Sequence, residues 1–467
     1  MKFIRKRVII MASKTKKAAA FIMASALAAT ALAGCGGSSS TPAGPGNVSV
    51  AQTSFETSVI NLKDDEVMKY IKDTMASEAK DGKIVLKLWC SGDDMAFEKE
   101  RLEAFKTLVA DSRYEIKIGV VENGEDKAGQ KVIENPKKAA DVFSFADDQL
   151  SGLQKAGAIA AVAPYYEGNV RKEHTDDSLA VSSVGDELLA YPKTSDNGYF
   201  LYYDKRVFTD ESVLDNMDEM IKVANAANKH VYLNVGNAWY NTGFFFTAGC
   251  TIKYENGKQT AEIANAKGLS AAKAMCHIAE SQDKGFKGSP GQIGDNAYVT
   301  QGFEEGFLAA AVIGTWEGPA IKKAIGDDNV GAAKLPKVLM DGEYKQLDSF
   351  GGYKLIGVGI YSEYPFSAQT LAYFLSSKES QEARYNTRGL LPTNKELGED
   401  PAIKKDPAFK ALEDQKPYSH AQGTSVGSVY WGSGIADVGG KAVSDYGKRS
   451  DDVIMEQLKG VEANMKA

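Results

Sequence analysis

The alternation of strand-like and helix-like segments is the feature that most restricts the fold of this chain. Short apolar runs, some of them alternating, are typical of strands, and apolar residues near helical spacing indicate helices between them. Strands are predicted at 83–89, 114–121, 140–145 and 230–235, and amphipathic helices at 96–110 and 213–224. Such alternation predicts α/β units with parallel sheet. In sheets of this kind ligands bind beyond the carboxyl ends of the strands, so candidate binding residues should stand there.

The N-terminus has the composition of an export signal. Residues 1–17 are basic with no acidic residue, 18–33 are apolar, and Leu32-Ala33-Gly34-Cys35 follows. This order predicts a signal peptide over 1–34, with an apolar run too short to span a bilayer. The last four residues resemble a bacterial lipobox, in which Cys35 receives lipid and begins the mature chain. The alternative is ordinary secretory cleavage near Ala33.

A lipid on Cys35 would hold the protein on the outer face of the cell membrane. The Gly/Ser-rich residues 36–42 that follow have the composition of a flexible tether. Met11 is an alternative start to Met1, because the basic run before it is redundant.

Charge and cysteine content exclude several classes of protein. Without the seven basic residues of 1–17, 48 Lys and Arg face 62 Asp and Glu, so the mature chain is near −14. This acidic balance argues against a nucleic-acid partner. Three cysteines remain after Cys35 and allow at most one internal disulfide, for which Cys250 with Cys276 is preferred over a pair with Cys90. No metal-ligand spacing is present, and no metal or cofactor is predicted.

Tryptophan, aspartate and asparagine stand at candidate strand ends and turns. Trp239 and Trp316 follow strand-like segments, and Trp431 lies beside glycines. A single tryptophan is more often core, but a pyranose offers one apolar face for an indole and hydroxyls for carboxylates and amides. The polar candidates, each of which could instead belong to a solvated turn or a helix cap, are Asp93, Asp94, Asp147, Asp148, Asp196, Asn197 and Asn237.

From residue 83 to the end, the chain resembles the extracellular solute-binding proteins of the maltose and maltodextrin-binding type. Matching segments, in order, are 89–94, 141–148, 190–205, 237–239, 253–258, 314–316, 350–358 and 430–431. The resemblance implies ligand contacts from Asp93, Asp94, Phe145, Asp148, Asp196, Asn197, Asn237, Trp239, Trp316, Tyr353 and Trp431. Phe145 stands for a tryptophan, Asn237 for an acid and Asp94 for a lysine, which leaves sugar identity and chain length open.

The resemblance also implies an architecture and a mechanism. The fold class is α/β, a type II periplasmic-binding-protein-like fold with two α/β lobes joined by hinge strands around a ligand cleft. Lobe 1 is expected at 82–198 and 353–392, lobe 2 at 199–352 and 393–467, and an extension at 35–81 with a helix over 64–79 of no assigned function. Closure around a sugar would present a monomeric receptor to the permease of an ABC importer.

Two other function classes stay open at this point. A secreted carbohydrate-active enzyme would line its cleft with similar residues, and its pair of carboxylates is not recognisable from one sequence. Motifs of serine hydrolases, zinc proteases and phosphate-binding loops are absent. A polyamine or peptide could occupy the same fold, because acids and aromatic rings also hold amines. A binding protein that is not an enzyme is the preferred interpretation.

Overall fold

The chain has an α/β fold with two separate main β-sheets. The structure, a computed structural model, describes residues 60–255, 257–283, 296–445 and 448–466. In the first sheet, four strands run in one direction and the strand Lys354–Val358 runs antiparallel to both of its neighbours. Its strands are, in spatial order, Glu115–Glu122, Lys83–Cys90, Val142–Ala146, Lys354–Val358 and Tyr191–Thr194.

The second sheet has four strands of mixed direction. Phe200–Asp204 pairs antiparallel with both neighbours, and Leu308–Ile313 pairs parallel with His230–Tyr232. Its spatial order is Val330–Ala333, Phe200–Asp204, Leu308–Ile313 and His230–Tyr232. Four two-stranded pairs complete the strands: Thr251–Glu255 with Lys258–Glu262, Lys337–Met340 with Glu343–Gln346, Ser349–Gly351 with Ser419–Ala421, and Ser183–Val184 with Glu187–Leu188.

Several helices begin where the sequence supplies a cap or a proline. The side chains of Asp64, Asn216 and Ser377 accept hydrogen bonds from the first turns that follow them, which satisfies otherwise unpaired N–H groups. The α-helices are Asp65–Glu78, Met95–Leu108, Ala128–Glu134, Leu150–Lys155, Pro164–Glu173, Asp176–Val181, Met217–Ala226, Ala238–Thr247, Ala266–Asp283, Asn296–Glu304, Gly318–Ile325, Pro365–Ser376, Lys378–Arg388, Lys395–Gly398, Pro401–Lys404, Pro407–Gln415, Gln422–Ser425, Ser428–Trp431, Ile435–Asp445 and Asp451–Lys466.

Each sheet has its own hydrophobic core. Buried side chains around the second sheet form one cluster drawn from residues 199–465. Those around the first sheet come from residues 60–191 and 355–375. The chain passes between the sheets at 195–199, at 352–353 and again beyond the Lys378–Arg388 helix. Asn197 N donates to Gly352 O at 3.2 Å where the first two crossings meet. The limits of the two lobes stay a prediction.

The helix predicted at 64–79 is present as Asp65–Glu78 and packs into the core of the first sheet. Its apolar side chains Val67, Met68, Ile71 and Met75 are buried in that cluster. The carboxylate of Glu78 accepts from the backbone N–H of Phe366 at 2.7 Å and of Ser367 at 2.9 Å. Glu78, at the end of this helix, therefore caps the start of the Pro365–Ser376 helix, a role the sequence did not indicate.

Several local predictions need correction. The helix expected over 213–224 is a 3-10 turn, Glu211–Asp215, followed by Met217–Ala226, because Asn216 adopts an extended conformation and caps the second helix. The strand expected over 230–235 ends at Tyr232. The preferred disulfide is wrong: Cys250 is a buried thiol that is not bonded to Cys276. Burial raises the pKa of Cys250 to about 12, which keeps this thiol protonated.

No helix in the described ranges combines the length and the apolar character that a membrane span requires. Cys35 and the signal sequence lie outside the described residues.

Candidate functional site

A cavity of about 1260 Å³ lies between residues of the two sheets. One side, here called the charged wall, comes mainly from ends of the first sheet and the turns that follow them. The opposite side, here called the aromatic wall, comes mainly from the second sheet and the C-terminal segment. The charged wall comprises Asp93, Asp94, Glu122, Glu125, Lys193, Lys354 and Arg388, and the aromatic wall comprises Tyr232, Trp239, Tyr240, Tyr254, Trp316 and Trp431.

The aromatic wall contains all three tryptophans that the sequence singled out. Trp239 stands in the first turn of the Ala238–Thr247 helix, and Trp316 in the 3-10 turn directly after the strand Leu308–Ile313. Their ring centroids lie 5.7 Å apart, with the rings tilted by 44°. Trp431 ends a short helix, and all three side chains are half-buried. Partial exposure inside a cavity is what a stacking platform requires.

Among the buried polar atoms of lining residues that have no hydrogen-bond partner within the described part of the chain, two are of interest for a ligand. They are the indole nitrogen of Trp316, a donor, and Oδ1 of Asp148, an acceptor. A buried polar group without a partner costs free energy unless something binds it. A ligand rich in hydroxyl groups would satisfy both atoms, since a hydroxyl both donates and accepts.

Asp147, which is buried, and its neighbour Asp148, which is half-buried, stand on one 3-10 turn, Asp147–Gln149. Burial raises the pKa of Asp148 to about 6, although hydrogen bonds from Gln422 and Trp431 favour its ionised form. Burial, together with the neighbouring Asp148 charge, raises the pKa of Asp147 to about 7. Of the two, Asp148 lines the cavity, whereas Asp147 lies beneath it against Gly352.

Asp196 joins three segments at the crossing between the sheets. Its Oδ2 accepts from Thr315 Oγ1 at 2.5 Å and from the backbone N–H of Leu391 at 2.9 Å. Burial raises the pKa of Asp196, and these hydrogen bonds oppose the rise. Asp196 and the adjacent Asn197 both line the cavity. Asp196 therefore fixes the hinge region, and only its remaining acceptor capacity is available to a ligand.

A buried ion cluster underlies the charged wall. Lys193, 1 % exposed, donates to Asp94 Oδ2 and to Glu125 Oε1, each at 2.9 Å, and Arg388 Nε lies 3.1 Å from Asp94 Oδ1. Burial opposes ionisation of Asp94, but the charge of Lys193 outweighs it and holds the pKa of Asp94 well below its usual range. Burial likewise opposes the charge on Lys193, and Asp94 and Glu125 raise its pKa above the ordinary value. Both oxygens of Asp94 are thus engaged by protein cations.

Asp93 and Asn237 are the exposed polar members of the predicted set. Both line the cavity. Asn237 also caps the Ala238–Thr247 helix, because its Oδ1 accepts from the backbone N–H of Trp239 at 2.8 Å. The cap uses the acceptor of Asn237 and leaves its amide N–H groups for a ligand.

Two predicted contacts are not placed at the cavity. Phe145 is fully buried and packs against Phe143, with ring centroids 5.5 Å apart, because its strand is covered on both faces. Tyr353 is half-buried against the same cluster of the first sheet. Neither residue belongs to the cavity lining. The assignment of Phe145 as a stacking aromatic is therefore wrong, and Tyr353 stands in the hinge rather than in the site.

Several lining residues were missed from the sequence. Lys193 sits in a strand that is buried at every position, which its sequence Tyr-Pro-Lys-Thr does not indicate. Lys354 and Arg388 carried no signal either. Gln422 begins a short turn after the strand Ser419–Ala421, and nothing in the local sequence separates it from an ordinary loop residue.

The described ranges contain no grouping of His, Cys, Asp or Glu side chains placed to hold a metal ion.

Comparisons with known proteins identify the family of this chain. The profile of a family described as bacterial extracellular solute-binding protein matches residues 100–411. A galactooligosaccharide-binding protein of Bacillus subtilis (strain 168) is 26 % identical over 334 residues, covering 69 % of this chain and 77 % of its own length. A maltooligosaccharide ABC transporter solute-binding lipoprotein of Streptococcus pneumoniae (strain ATCC BAA-255 / R6) is 24 % identical over 264 residues, 55 % of this chain and 60 % of that protein.

A solved structure of a complex with acarbose superposes with a TM-score of 0.71 at 27 % identity, covering 82 % of this chain and 99 % of that one. This likeness confirms the predicted type II fold with two α/β lobes. Since the family profile spans most of the chain, the protein belongs to the bacterial extracellular solute-binding proteins.

Proposed function

We propose that this protein captures an oligosaccharide for an ABC importer. The observation that carries the proposal is the pairing of three half-buried tryptophans with unsatisfied donor and acceptor atoms around one cavity. Indole rings stack on the apolar face of a sugar ring, and carboxylates and amides bond its hydroxyls. The relatives that bind galactooligosaccharides and maltooligosaccharides support the same ligand class.

The size of the cavity favours a ligand of more than one sugar unit. Small-molecule pockets enclose roughly 300–1,000 Å³, and this cavity, at about 1260 Å³, is larger. Two tryptophan rings spaced at 5.7 Å and a third on the C-terminal segment supply several stacking surfaces along it. Hydrogen-bonding groups come from Asp93, Asp148 and Asn197.

Capture proceeds by closure of the two lobes around the sugar. The lining comes from both sheets, so a bound sugar contacts both and stabilises the closed form over the open one. The closed form is the one that the permease recognises. The sugar leaves chemically unchanged, since the protein belongs to a family of binding proteins.

Calorimetry with linear maltooligosaccharides and galactooligosaccharides of two to seven units tests the ligand class. We expect binding that strengthens with length until the cavity is filled, and a higher melting temperature in saturating sugar. Spermidine and a tripeptide serve as the competing ligands. Binding of either amine ligand, with no response to any sugar, would overturn the proposal.

A second assay separates receptor from enzyme. Prolonged incubation with the sugar that binds should give no shorter product and no new reducing end by chromatography. Cleavage that disappears on changing a lining carboxylate, such as Asp148→Asn, would establish a glycosidase instead.

The lipid on Cys35 is part of the same proposal, supported by Leu32-Ala33-Gly34-Cys35 and by the lipoprotein relative. Cys35→Ala should release the protein from the membrane fraction into the medium. Retention of this variant with washed membranes would contradict the anchor.

A further inference from the structure

One buried glutamine connects groups on both sides of the cavity. Gln422, 6 % exposed, begins the short helix Gln422–Ser425. The strand just before it, Ser419–Ala421, pairs with Ser349–Gly351 next to the crossing. Gln259 of the Thr251–Glu262 hairpin fixes the other end of this segment, because its side chain donates to Ser425 O at 3.1 Å and accepts from Gly427 N at 2.9 Å. The segment that presents Gln422 is therefore held on two sides.

The side chain of Gln422 uses both ends of its amide. Its Oε1 accepts from the indole N–H of Trp239 at 3.0 Å and from Nδ2 of Asn197 at 3.3 Å. The Gln422 side chain also favours the ionised form of Asp148 and so lowers the pKa of this carboxyl against the effect of burial. Since a carboxylate only accepts, the group of Gln422 that favours the ionised form of Asp148 is the amide nitrogen. All four residues line the cavity.

These contacts cross the cavity. Trp239 and Gln422 belong with the second sheet and the C-terminal segment, whereas Asp148 follows a strand of the first sheet and Asn197 stands in the crossing. The turn that carries Asp148 packs directly under this segment, as a Cβ built at Gly423 would lie 3.5 Å from the Asp148 Cα. Gln422 thus fixes the orientation of three groups that a sugar would contact, from both sides at once.

We propose that Gln422 is the positioning residue of the sugar site, orienting the Asp148 carboxylate, the Trp239 indole and the Asn197 amide at the cavity. The inference rests on the proposed function, because it concerns what those three groups bind. It adds a residue that acts on the sugar through the side chains it orients. Its amide has the donor and the acceptor that this role requires. A primary amide is the one uncharged side chain that offers a carbonyl acceptor and an N–H donor together.

The replacement Gln422→Glu changes the hydrogen bonds of this side chain while it leaves the side-chain volume nearly the same. The introduced side chain has nearly the same shape and still accepts from Trp239 and Asn197, but it cannot donate to Asp148 when ionised. Two carboxylates in contact cannot both be charged without penalty, so one must take up a proton. Because burial already brings the pKa of Asp148 to about 6, this pair should share a proton at pH 5 and repel at pH 8.

The test measures the affinity for maltotetraose, or for a galactotetraose if only that binds, at pH 5 and pH 8. Gln422→Glu should bind within a few fold of the unaltered protein at pH 5 and about tenfold or more weakly, relative to it, at pH 8, the loss expected from one misplaced charged hydrogen bond. Gln422→Ala should bind more weakly at both pH values. Gln154→Glu, which adds the same charge at an exposed position outside the cavity, is the matched control and should follow the unaltered protein.

A second measurement tests the interaction between Gln422 and Asp148 in the absence of sugar. The melting temperature of unliganded Gln422→Glu should fall between pH 5 and pH 8 more than that of the control, and adding Asp148→Asn should remove the difference. Parallel pH profiles for Gln422→Glu and Gln154→Glu, in either measurement, would overturn the positioning role. If the unaltered protein binds neither sugar, the proposed function fails, and the positioning role fails with it.

Discussion

The two walls of the cavity satisfy their functional groups in opposite ways. On the charged wall, the cations and carboxylates bind one another: Lys193 contacts Asp94 and Glu125, and Arg388 contacts Asp94. On the aromatic wall, Trp239, Trp316 and Trp431 are half-buried with part of their surface at the cavity, and the indole nitrogen of Trp316 has no described partner. Residues that are equally good candidates for ligand contacts in the sequence therefore have different roles in the structure.

The contrast shows why a carboxylate at a strand end is a weak indicator of a ligand contact. Asp94 is nearly inaccessible and fully engaged, whereas Asp93 beside it is exposed at the cavity. Burying ions costs several kcal/mol each unless partners compensate, so the ion cluster is a structural base. The ligand contacts are expected from lining groups that do not belong to this ion cluster.

The largest expected effect comes from breaking the base of the charged wall. Lys193→Met removes the cation that Asp94 and Glu125 share and leaves their negative charges only partly compensated, by Arg388 and Lys354. We expect a loss of about 3–5 kcal/mol in the free energy of unfolding, measured by urea denaturation. Lys127→Met is the matched control on the same wall, since Lys127 is largely exposed and should matter little. Equal stability of the two variants would show that the cluster is not structural.

Phe145→Ala tests the reassignment of this ring from the cavity to the core. Removing a fully buried phenylalanine should cost about 3–5 kcal/mol in the free energy of unfolding. Sugar affinity, measured by calorimetry on the folded fraction, should stay near that of the unaltered protein. A large drop in affinity without loss of stability would restore Phe145 to the site.

The aromatic wall should respond in the opposite sense. Changing Trp239, Trp316 or Trp431 singly to alanine should weaken sugar binding by about 1–3 kcal/mol through lost stacking and buried area. The melting temperature should move less than in Phe145→Ala, because these side chains are only half-buried. Strong destabilisation with unchanged affinity would mean that the tryptophans are core residues.

Periodicity and local composition were enough to predict the α/β fold and to single out the three tryptophans that line the cavity, but Trp239 and Trp431 stand in helices and not in loops. They could not place Phe145, because the strand Val142–Ala146 is buried on both faces and has no alternation to read. They also could not distinguish Asp147 from Asp148, whose different environments depend on Gly352 and Gln422, both distant in sequence.

The residues missed altogether are those defined by long-range pairing. Lys193 and Arg388 meet on Asp94 from segments nearly two hundred residues apart. Gln422 acquires its role from three partners, of which the nearest in sequence is Trp239. A pattern read along the chain contains local spacing only, so such contacts become visible once the sheets are assembled.

The smallest effect is expected at Asn237. Its variants test whether this residue beside the aromatic wall also contacts the ligand. Its Oδ1 caps the helix that carries Trp239, so Asn237→Ala should cost about 0.5–2 kcal/mol in the free energy of unfolding. Asn237→Ser keeps a capping oxygen and should recover most of that stability, while it removes the amide N–H groups. If Asn237 acts as a cap alone, the serine variant binds sugar like the unaltered protein. If its amide also donates to the ligand, the serine variant is stable and still binds more weakly, which calorimetry on the two variants decides.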